Sequence, residues 1–204
     1  MYIPEHFRES DQATLHAFVR AHSFATLVSN GADGMIATHL PLLLDVDRGP
    51  HGTLVGHLAR ANPHGAALAE GAETLAIFNG PHAYVSPQWY TTPMAVPTWN
   101  YAVVHAYGRP RLIEQDAALR DVLMRTVAEF EAAFAYQWQP PEGDFVDKLA
   151  KQVIGFEIAI ERLEGKMKLS QNRPKADQAG TIAGLRATGE PDAVAVAELM
   201  ARRG

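Results

Sequence analysis

The chain has no cysteine among its 204 residues. This absence excludes disulfides, thiolate catalysis and thiolate metal sites. The chain also lacks an unbroken apolar run of the roughly 20 residues that a transmembrane helix requires. Its first 20 residues carry Glu5, Glu9 and Asp11 where a signal peptide would have an apolar core. We therefore expect a cytoplasmic protein that does not contact a membrane.

The chain has no excess of positive charge either, because its formal net charge is −5 and its sequence pI about 6.0. Such a balance argues against a protein held on nucleic acid mainly by overall charge, although it is compatible with a local basic patch. The phosphate-binding loops GxGxxG and GxxxxGK[ST] are absent, and no histidines have HExxH spacing. The sequence therefore offers no motif of a parallel nucleotide-binding fold or of a metal site.

Residues 74–108 lack every charged side chain, although 20% of the whole chain is charged. These 35 residues contain seven of the 17 aromatic residues and are interrupted by four prolines. An apolar, ring-rich segment with scattered hydroxyls and amides suits the wall of a pocket for a flat organic ligand. It also suits the core of a barrel, and composition alone favours the core.

Hydrophobic periodicity predicts short strands in hairpin-like succession, with helices between and after them. The predicted strands cover residues 24–29, 35–45, 53–59, 75–79, 82–86, 98–113 and 155–170. The predicted helices cover about 10–22, 62–71, 115–134, 145–151, 177–187 and 191–202. Clustered antiparallel strands with peripheral helices indicate an α+β fold built on a small β-barrel, not a parallel sheet.

The segment GHLARANPH, residues 56–64, is the first that could bind a ligand. Asn62 and Pro63 predict a helix start, where free backbone N–H groups beside Arg60 would favour an anion such as phosphate. The alternative is a capped helix with a solvated arginine.

The segment KMKLSQNRPK, residues 166–175, is the second. Its four basic residues around a Ser-Gln-Asn triplet could bind a phosphate, a ring ligand or nucleic acid. The alternative is a solvated basic turn.

Histidines and serines complete the set of candidates. His39, His57, His64, His82 and His105 show no metal-ligand spacing, so we expect buried, hydrogen-bonded histidines or cofactor contacts. No serine has the context of a nucleophile elbow. The second tail helix is basic only at its end, so a packing helix is favoured over a DNA-reading helix-turn-helix.

Six segments in order together resemble one family, the FMN-binding negative transcriptional regulators of PaiB type. That family belongs to the split-barrel flavoproteins related to pyridoxamine-phosphate oxidase. The matching segments are MYIPEHF, ATHLPLLLD, GHLARANPH, FNGPHAYVSPQWY, VPTWNYAVVHAYG and EGKMKLSQNR, which lie between residues 1 and 173. Met167 departs from the pattern, where an aromatic is expected more often, and the tail matches only loosely.

The resemblance implies a six-stranded antiparallel split barrel over residues 1–174, with a helical tail over 175–204 packed on the barrel or on a partner subunit. It also implies a homodimer with FMN at the subunit interface. The implied contacts at the phosphate end are Arg60 and Asn62, with His57 nearby, and those at the flavin edge are Thr38, His39 and Leu40. Trp99 and Asn100 are implied as wall and amide contacts. Lys168, Gln171 and Asn172 would come from the later strand of one or the other subunit.

Three functions follow from these observations. The first is an FMN-binding protein with a redox or sensing role, and the sequence leaves open whether it is an FMN-dependent oxidoreductase. The second is a repressor that binds DNA directly, which the family name and the basic segment 166–175 support and the net charge opposes. The third is a haem- or tetrapyrrole-handling split barrel, since histidines are plentiful.

Overall fold

The computed structural model describes residues 1–131 and 145–203 of the chain. In these residues it has six α-helices and eight strands, an α+β composition. The strands are β1 Arg8–Glu9, β2 Phe24–Gly31, β3 Gly34–Pro41, β4 Leu43–Asp45, β5 Thr53–Ala59, β6 Thr74–Val85, β7 Thr98–Ile113 and β8 Val153–Lys168. The helices are α1 Gln12–Ala21, α2 His64–Ala69, α3 Asp116–Phe130, α4 Phe145–Ala150, α5 Lys175–Thr188 and α6 Pro191–Arg203.

The eight strands differ from the seven predicted strand segments for local reasons. The predicted strand 35–45 is divided after Pro41 into β3 and β4, and the predicted strands 75–79 and 82–86 form one strand, β6. A two-residue strand, β1, is added beside β8. The last three residues of the predicted helix 115–134 lie outside the described residues.

The strands form one sheet in the order β3-β2-β6-β7-β8-β5-β4, with β1 beside β8. The pairings of β2 with β3 and β6, and of β5 with β4 and β8, are antiparallel. The strands at the two ends of this order, β3 and β4, are consecutive in the chain and separated only by Leu42. The chain therefore passes from one end of the sheet to the other within one residue, as a sheet that curves back on itself requires.

One compact unit comprises Val19–Phe78 and Ala106–Leu163, and we call it the barrel unit. Every strand of the main order contributes residues to it. Leu27, Leu54, Phe156 and Ile158 are fully buried, as expected for strands that alternate one face toward a core. At Gly108 a side chain is excluded, because its Cβ would lie 2.1 Å from the Ala159 carbonyl oxygen.

The other compact unit comprises Met1–Phe18, Asn79–His105 and Glu164–Gly204, and we call it the tail unit. Helix α6 buries Ala193, Val196, Ala197 and Met200 within it, which agrees with the prediction of packing helices. Helix α5 ends at Gly189, whose φ of 70° gives the left-handed cap that glycine adopts most readily. The domain boundary expected near residue 174 does not coincide with the limits of these units, and it stays a prediction. Within the described ranges, no helix has both the length and the apolarity to cross a membrane.

Candidate functional site

The predicted ligand contacts divide between the two units. The barrel unit contains Thr38, His39, Leu40, His57, Arg60 and Asn62, and the tail unit contains Trp99, Asn100, Lys168, Gln171 and Asn172.

Five side chains of the barrel unit form one continuous series of hydrogen bonds, which we call the polar chain. Its members, in order, are Asn62, Thr38, His64, Ser29 and Thr74. Their side chains are linked at 3.3 Å, 2.8 Å, 2.9 Å and 2.8 Å, and the Thr74 hydroxyl then donates to the Ala72 carbonyl at 3.2 Å. Four of these residues lie on β2, β3, α2 and β6, so the polar chain joins four elements that are separate in sequence.

The centre of the polar chain is withdrawn from solvent. His64 is fully buried, and Ser29 and Thr74 are nearly so. Burial lowers the pKa of His64, because the charged imidazolium loses its hydration. The expectation of buried, hydrogen-bonded histidines is therefore confirmed at His64.

Asn62 and Pro63 directly precede α2, and they leave no free N–H groups in its first turn. The Asn62 Oδ1 accepts from the His64 N–H at 3.0 Å, and the Asn62 carbonyl accepts from the Gly65 N–H at 3.0 Å. The next N–H, of Ala66, donates to the Pro63 carbonyl at 3.1 Å. The N–H groups of this turn are therefore engaged within the protein, and a phosphate contact of Asn62 stays a prediction.

Arg60 is engaged with the backbone. Its Nε donates to the Lys151 carbonyl and its Nη2 to the Val153 carbonyl, both at 2.8 Å. The side chain lines an open depression in which Arg120 and Lys151 lie together with Glu114 and Asp116. Arg60 therefore fastens the start of β8 to the end of β5, and its role toward a phosphate stays a prediction.

The remaining barrel-unit candidates differ in exposure. His39 is exposed on β3, where its Nδ1 lies 3.1 Å from the Thr26 hydroxyl. Leu40 is buried, so its side chain belongs to the core and only its backbone is available to a ligand. His57 is half-buried, and burial lowers its pKa.

Trp99 is an exposed aromatic of the tail unit, with 53% of its surface accessible. Its ring centroid lies 6.0 Å from that of Tyr84 and 6.2 Å from that of His82. Asn100, its neighbour, points the opposite way. Its Nδ2 donates to the Ser170 hydroxyl at 2.9 Å and to the Met200 sulfur at 3.4 Å, and the side chain is buried.

Lys168 is held against β7 at the end of β8. Its ammonium donates to the Thr98 hydroxyl and, at 2.5 Å, to the Trp99 carbonyl. Burial lowers the pKa of Lys168, and the nearby charges of Lys166 and Arg173 lower it further. None of these three cations forms an ion pair with a carboxylate in the described part of the chain. Lys166 is buried and donates to the Tyr2 carbonyl at 3.0 Å, whereas Lys168 and Arg173 are partly exposed.

Gln171 stabilises the turn that follows Lys168. Its Oε1 accepts from the Leu169 N–H at 2.7 Å and its Nε2 donates to the Met167 carbonyl at 2.5 Å. Asn172 is exposed in the same turn.

Sequence reasoning missed two residues of the tail unit. The Tyr90 hydroxyl is buried and has no hydrogen-bond partner within residues 1–131 and 145–203, and the Arg173 guanidinium lies 4.7 Å from the Tyr90 ring centroid. Asp177, fully buried in the first turn of α5, accepts four hydrogen bonds from the backbone and hydroxyls of Thr91 and Thr92. The many aromatics of residues 74–108 signalled the first, but no sequence spacing links position 177 to positions 91 and 92.

Among residues 1–131 and 145–203, no three His, Asp or Glu side chains are placed so that they could hold a metal ion.

Comparison with known proteins gives a consistent result. The family described as "Putative FMN-binding domain" matches residues 1–162. The chain is 34% identical over 201 residues to "Protease synthase and sporulation protein PAI 2" of Bacillus subtilis, covering 98% of this chain and 96% of that protein. It is 32% identical over 205 residues to an uncharacterized protein of Emericella nidulans, covering 82% of each.

Two solved structures share the fold at low sequence identity. The flavocytochrome Anf3 from Azotobacter vinelandii superposes with a TM-score of 0.65 at 16% identity, covering 87% of this chain and 78% of its own. An FAD and heme binding protein from Mycobacterium smegmatis gives 0.62 at 17% identity, covering 79% and 73%.

Proposed function

Because the chain belongs to the PaiB-type family of FMN-binding split-barrel proteins, we propose that it uses bound FMN in redox chemistry or in sensing. The family, the split-barrel fold and the FMN cofactor predicted from the sequence are confirmed. The flavin supplies the electron-transfer chemistry when bound, and the protein supplies binding, orientation and electrostatics.

The observation that carries the proposal is the pairing of uncompensated charge with an exposed ring. FMN combines a planar aromatic ring with a phosphate that is mainly dianionic at neutral pH. Lys168 and Arg173 are partly exposed cations without carboxylate partners in the described residues, which fits a phosphate. Trp99 is exposed beside Tyr84 and His82, which fits contact with a planar ring.

We also propose the homodimer with FMN at its interface. In this arrangement Lys168, Gln171 and Asn172 of one protomer approach a flavin whose ring edge lies at Thr38 of its partner. Light scattering during size-exclusion chromatography measures the mass with and without FMN. A mass of one chain, about 22.2 kDa, in both conditions contradicts this arrangement.

Titration with three flavins tests the cofactor proposal. We expect the fluorescence of FMN to be quenched on binding and the melting temperature of the protein to rise. We expect riboflavin, which lacks the phosphate, to bind at least about tenfold more weakly, since a charge-assisted hydrogen bond contributes about 1.5–3 kcal/mol. FAD reports whether the site admits a larger phosphate substituent. Absence of both a bound-flavin spectrum and a thermal shift with FMN overturns the proposal.

Direct DNA binding is the second candidate, because the same uncompensated cations fit a phosphate backbone. The name of the Bacillus subtilis relative, a protease synthase and sporulation protein, is consistent with a regulatory role. Specific binding would weaken steeply with salt. No mobility shift with promoter DNA at low salt would exclude direct repression.

A haem titration in the same series tests the third function, since a Soret band would place this chain beside haem-binding relatives of its fold.

A further inference from the structure

The direction of every hydrogen bond in the polar chain can be deduced from its buried end. The Thr74 hydroxyl donates to the Ala72 carbonyl, which can only accept. Its single proton is thereby used, so Ser29 must be the donor in the bond between Ser29 and Thr74. The Ser29 oxygen then accepts from Nε2–H of His64, and the neutral imidazole presents Nδ1 as an acceptor.

The same logic fixes the outer end of the chain. Since Nδ1 of His64 accepts, the Thr38 hydroxyl donates to it and accepts from Nδ2 of Asn62. The orientation of the Asn62 amide is independent of this argument, because its Oδ1 accepts from the His64 backbone N–H. Thr38 can therefore only accept from a ligand. Asn62 can offer its second Nδ2–H, for which the described residues provide no acceptor.

The contact of Thr38 with Asn62 also decides where a ligand meets them. Their side chains are 3.3 Å apart, so both meet the same end of one ligand. The resemblance implies Thr38 at the ring edge and Asn62 at the phosphate, which are opposite ends of FMN. The 3.3 Å contact favours one end for both residues. A phosphate dianion only accepts hydrogen bonds and would repel the acceptor lone pair of Thr38. The imide edge of the flavin ring presents an N–H beside a carbonyl, and it complements one acceptor and one donor.

We infer that His64, Ser29 and Thr74 are positioning residues that hold Thr38 as an acceptor and Asn62 as a donor for the imide edge of the flavin. This inference rests on the proposed FMN function. The buried end of the polar chain acts without touching the ligand. Reversing the bond between Ser29 and His64 reverses the bond between His64 and Thr38, whereas the Asn62 amide keeps its orientation.

The sharpest test replaces the buried anchor by an isostere. In Thr74→Val the Ser29 hydroxyl is free to donate to His64, the imidazole takes the other tautomer, and Thr38 turns into a donor. The probes are FMN and FMN methylated at the imide nitrogen N3, which lacks the N–H. We expect the wild type to prefer FMN by about tenfold, the effect of one lost hydrogen bond. We expect Thr74→Val to bind FMN more weakly and to lose this preference.

Two further variants keep the test decisive. Ser29→Ala breaks the polar chain at a second position, and it replaces Thr74→Val if that variant does not fold. Thr53→Ala is the control, because Thr53 is a buried threonine of the same unit that donates only to the Arg48 carbonyl, outside the polar chain. It should keep the wild-type preference.

The outcomes separate this inference from the proposed function. Wild-type protein that binds no FMN overturns the proposed function. Wild-type protein that binds FMN and N3-methyl FMN equally, or a broken polar chain that keeps the wild-type preference, overturns the positioning role alone. Because the measured quantity is a ratio between two flavins, a general loss of stability does not reproduce the expected change.

Discussion

The indole ring of Trp89 lies directly over Gly184 on helix α5. A Cβ at Gly184 would be 2.3 Å from Cδ2 of Trp89, and a Cβ at Gly180, one turn earlier, would be 2.1 Å from the Trp89 carbonyl oxygen. The two glycines thus form a groove in α5 that admits the tryptophan. Trp89, one of the aromatic residues of the uncharged segment 74–108, is thus partly buried against α5.

Gly184→Ala should therefore destabilise the protein, although alanine is normally the better helix former by about 1 kcal/mol. Overpacking against Trp89 is expected to cost about 1–3 kcal/mol, which exceeds that gain. Urea denaturation followed by circular dichroism measures the free energy of unfolding. The control is Ala183→Gly at an exposed position of the same helix, which measures the difference in helix propensity between alanine and glycine alone. A Gly184→Ala variant more stable than the wild type would contradict the close contact between Gly184 and Trp89.

Asp177 should make the tail unit sensitive to acid. Hydrogen bonds, first of all from the Thr92 hydroxyl, lower the pKa of this carboxyl from 3.8 to about 2. A carboxyl with a lowered folded-state pKa stabilises the fold above the unfolded value and loses that contribution as pH falls through the folded value. We expect the midpoint of urea denaturation to fall as the pH is lowered from about 4 to about 2. Asp177→Asn should lower the midpoint at pH 7 and flatten the acid dependence, and an unchanged profile would count against the four hydrogen bonds.

Lys168→Met should distinguish the contribution of the FMN phosphate to binding from that of the flavin ring. Removing this cation is expected to weaken FMN binding by about tenfold or more and riboflavin binding little, because only FMN carries the anion. Because the pKa of Lys168 is lowered, the FMN affinity of the wild type should fall at an alkaline pH below the ordinary lysine value of 10.5. The FMN affinity of the variant should not show this decrease. Lys175→Met, an exposed lysine beyond the turn, is the control and should behave as wild type.

Trp99→Ala should weaken FMN binding more than Tyr107→Ala does. Trp99 is exposed and available to a ring, whereas Tyr107 is half-buried under the Arg162 guanidinium, 3.5 Å from its ring centroid. Loss of a ring contact is expected to weaken binding by about three- to tenfold. Fluorescence titration measures both variants, and equal effects would remove Trp99 from the proposed site.

Local patterns predicted the elements well because they depend on near neighbours. The start of α2 at Asn62-Pro63 and the two tail helices follow from capping residues and periodicity. The polar chain could not be predicted in this way. Residues 29, 38, 64 and 74 share no spacing, and only the pairing of β2 with β3 and β6 brings their side chains to the buried face on which His64 rests. The sequence therefore named Thr38, Asn62 and His64 separately, but not the hydrogen bonds that join them.

The passage of the chain through Leu42 limits how the protein can change in length. Strand β3 is held in register by β2 and strand β4 by β5, so neither can slide to absorb an extra residue. Adding or deleting one residue at position 42 would turn every side chain of one strand to its opposite face. The turn over residues 46–52, which connects β4 to β5, has no such restriction. Peptide tags or sensor domains should therefore be accepted in that turn and rejected only a few residues earlier.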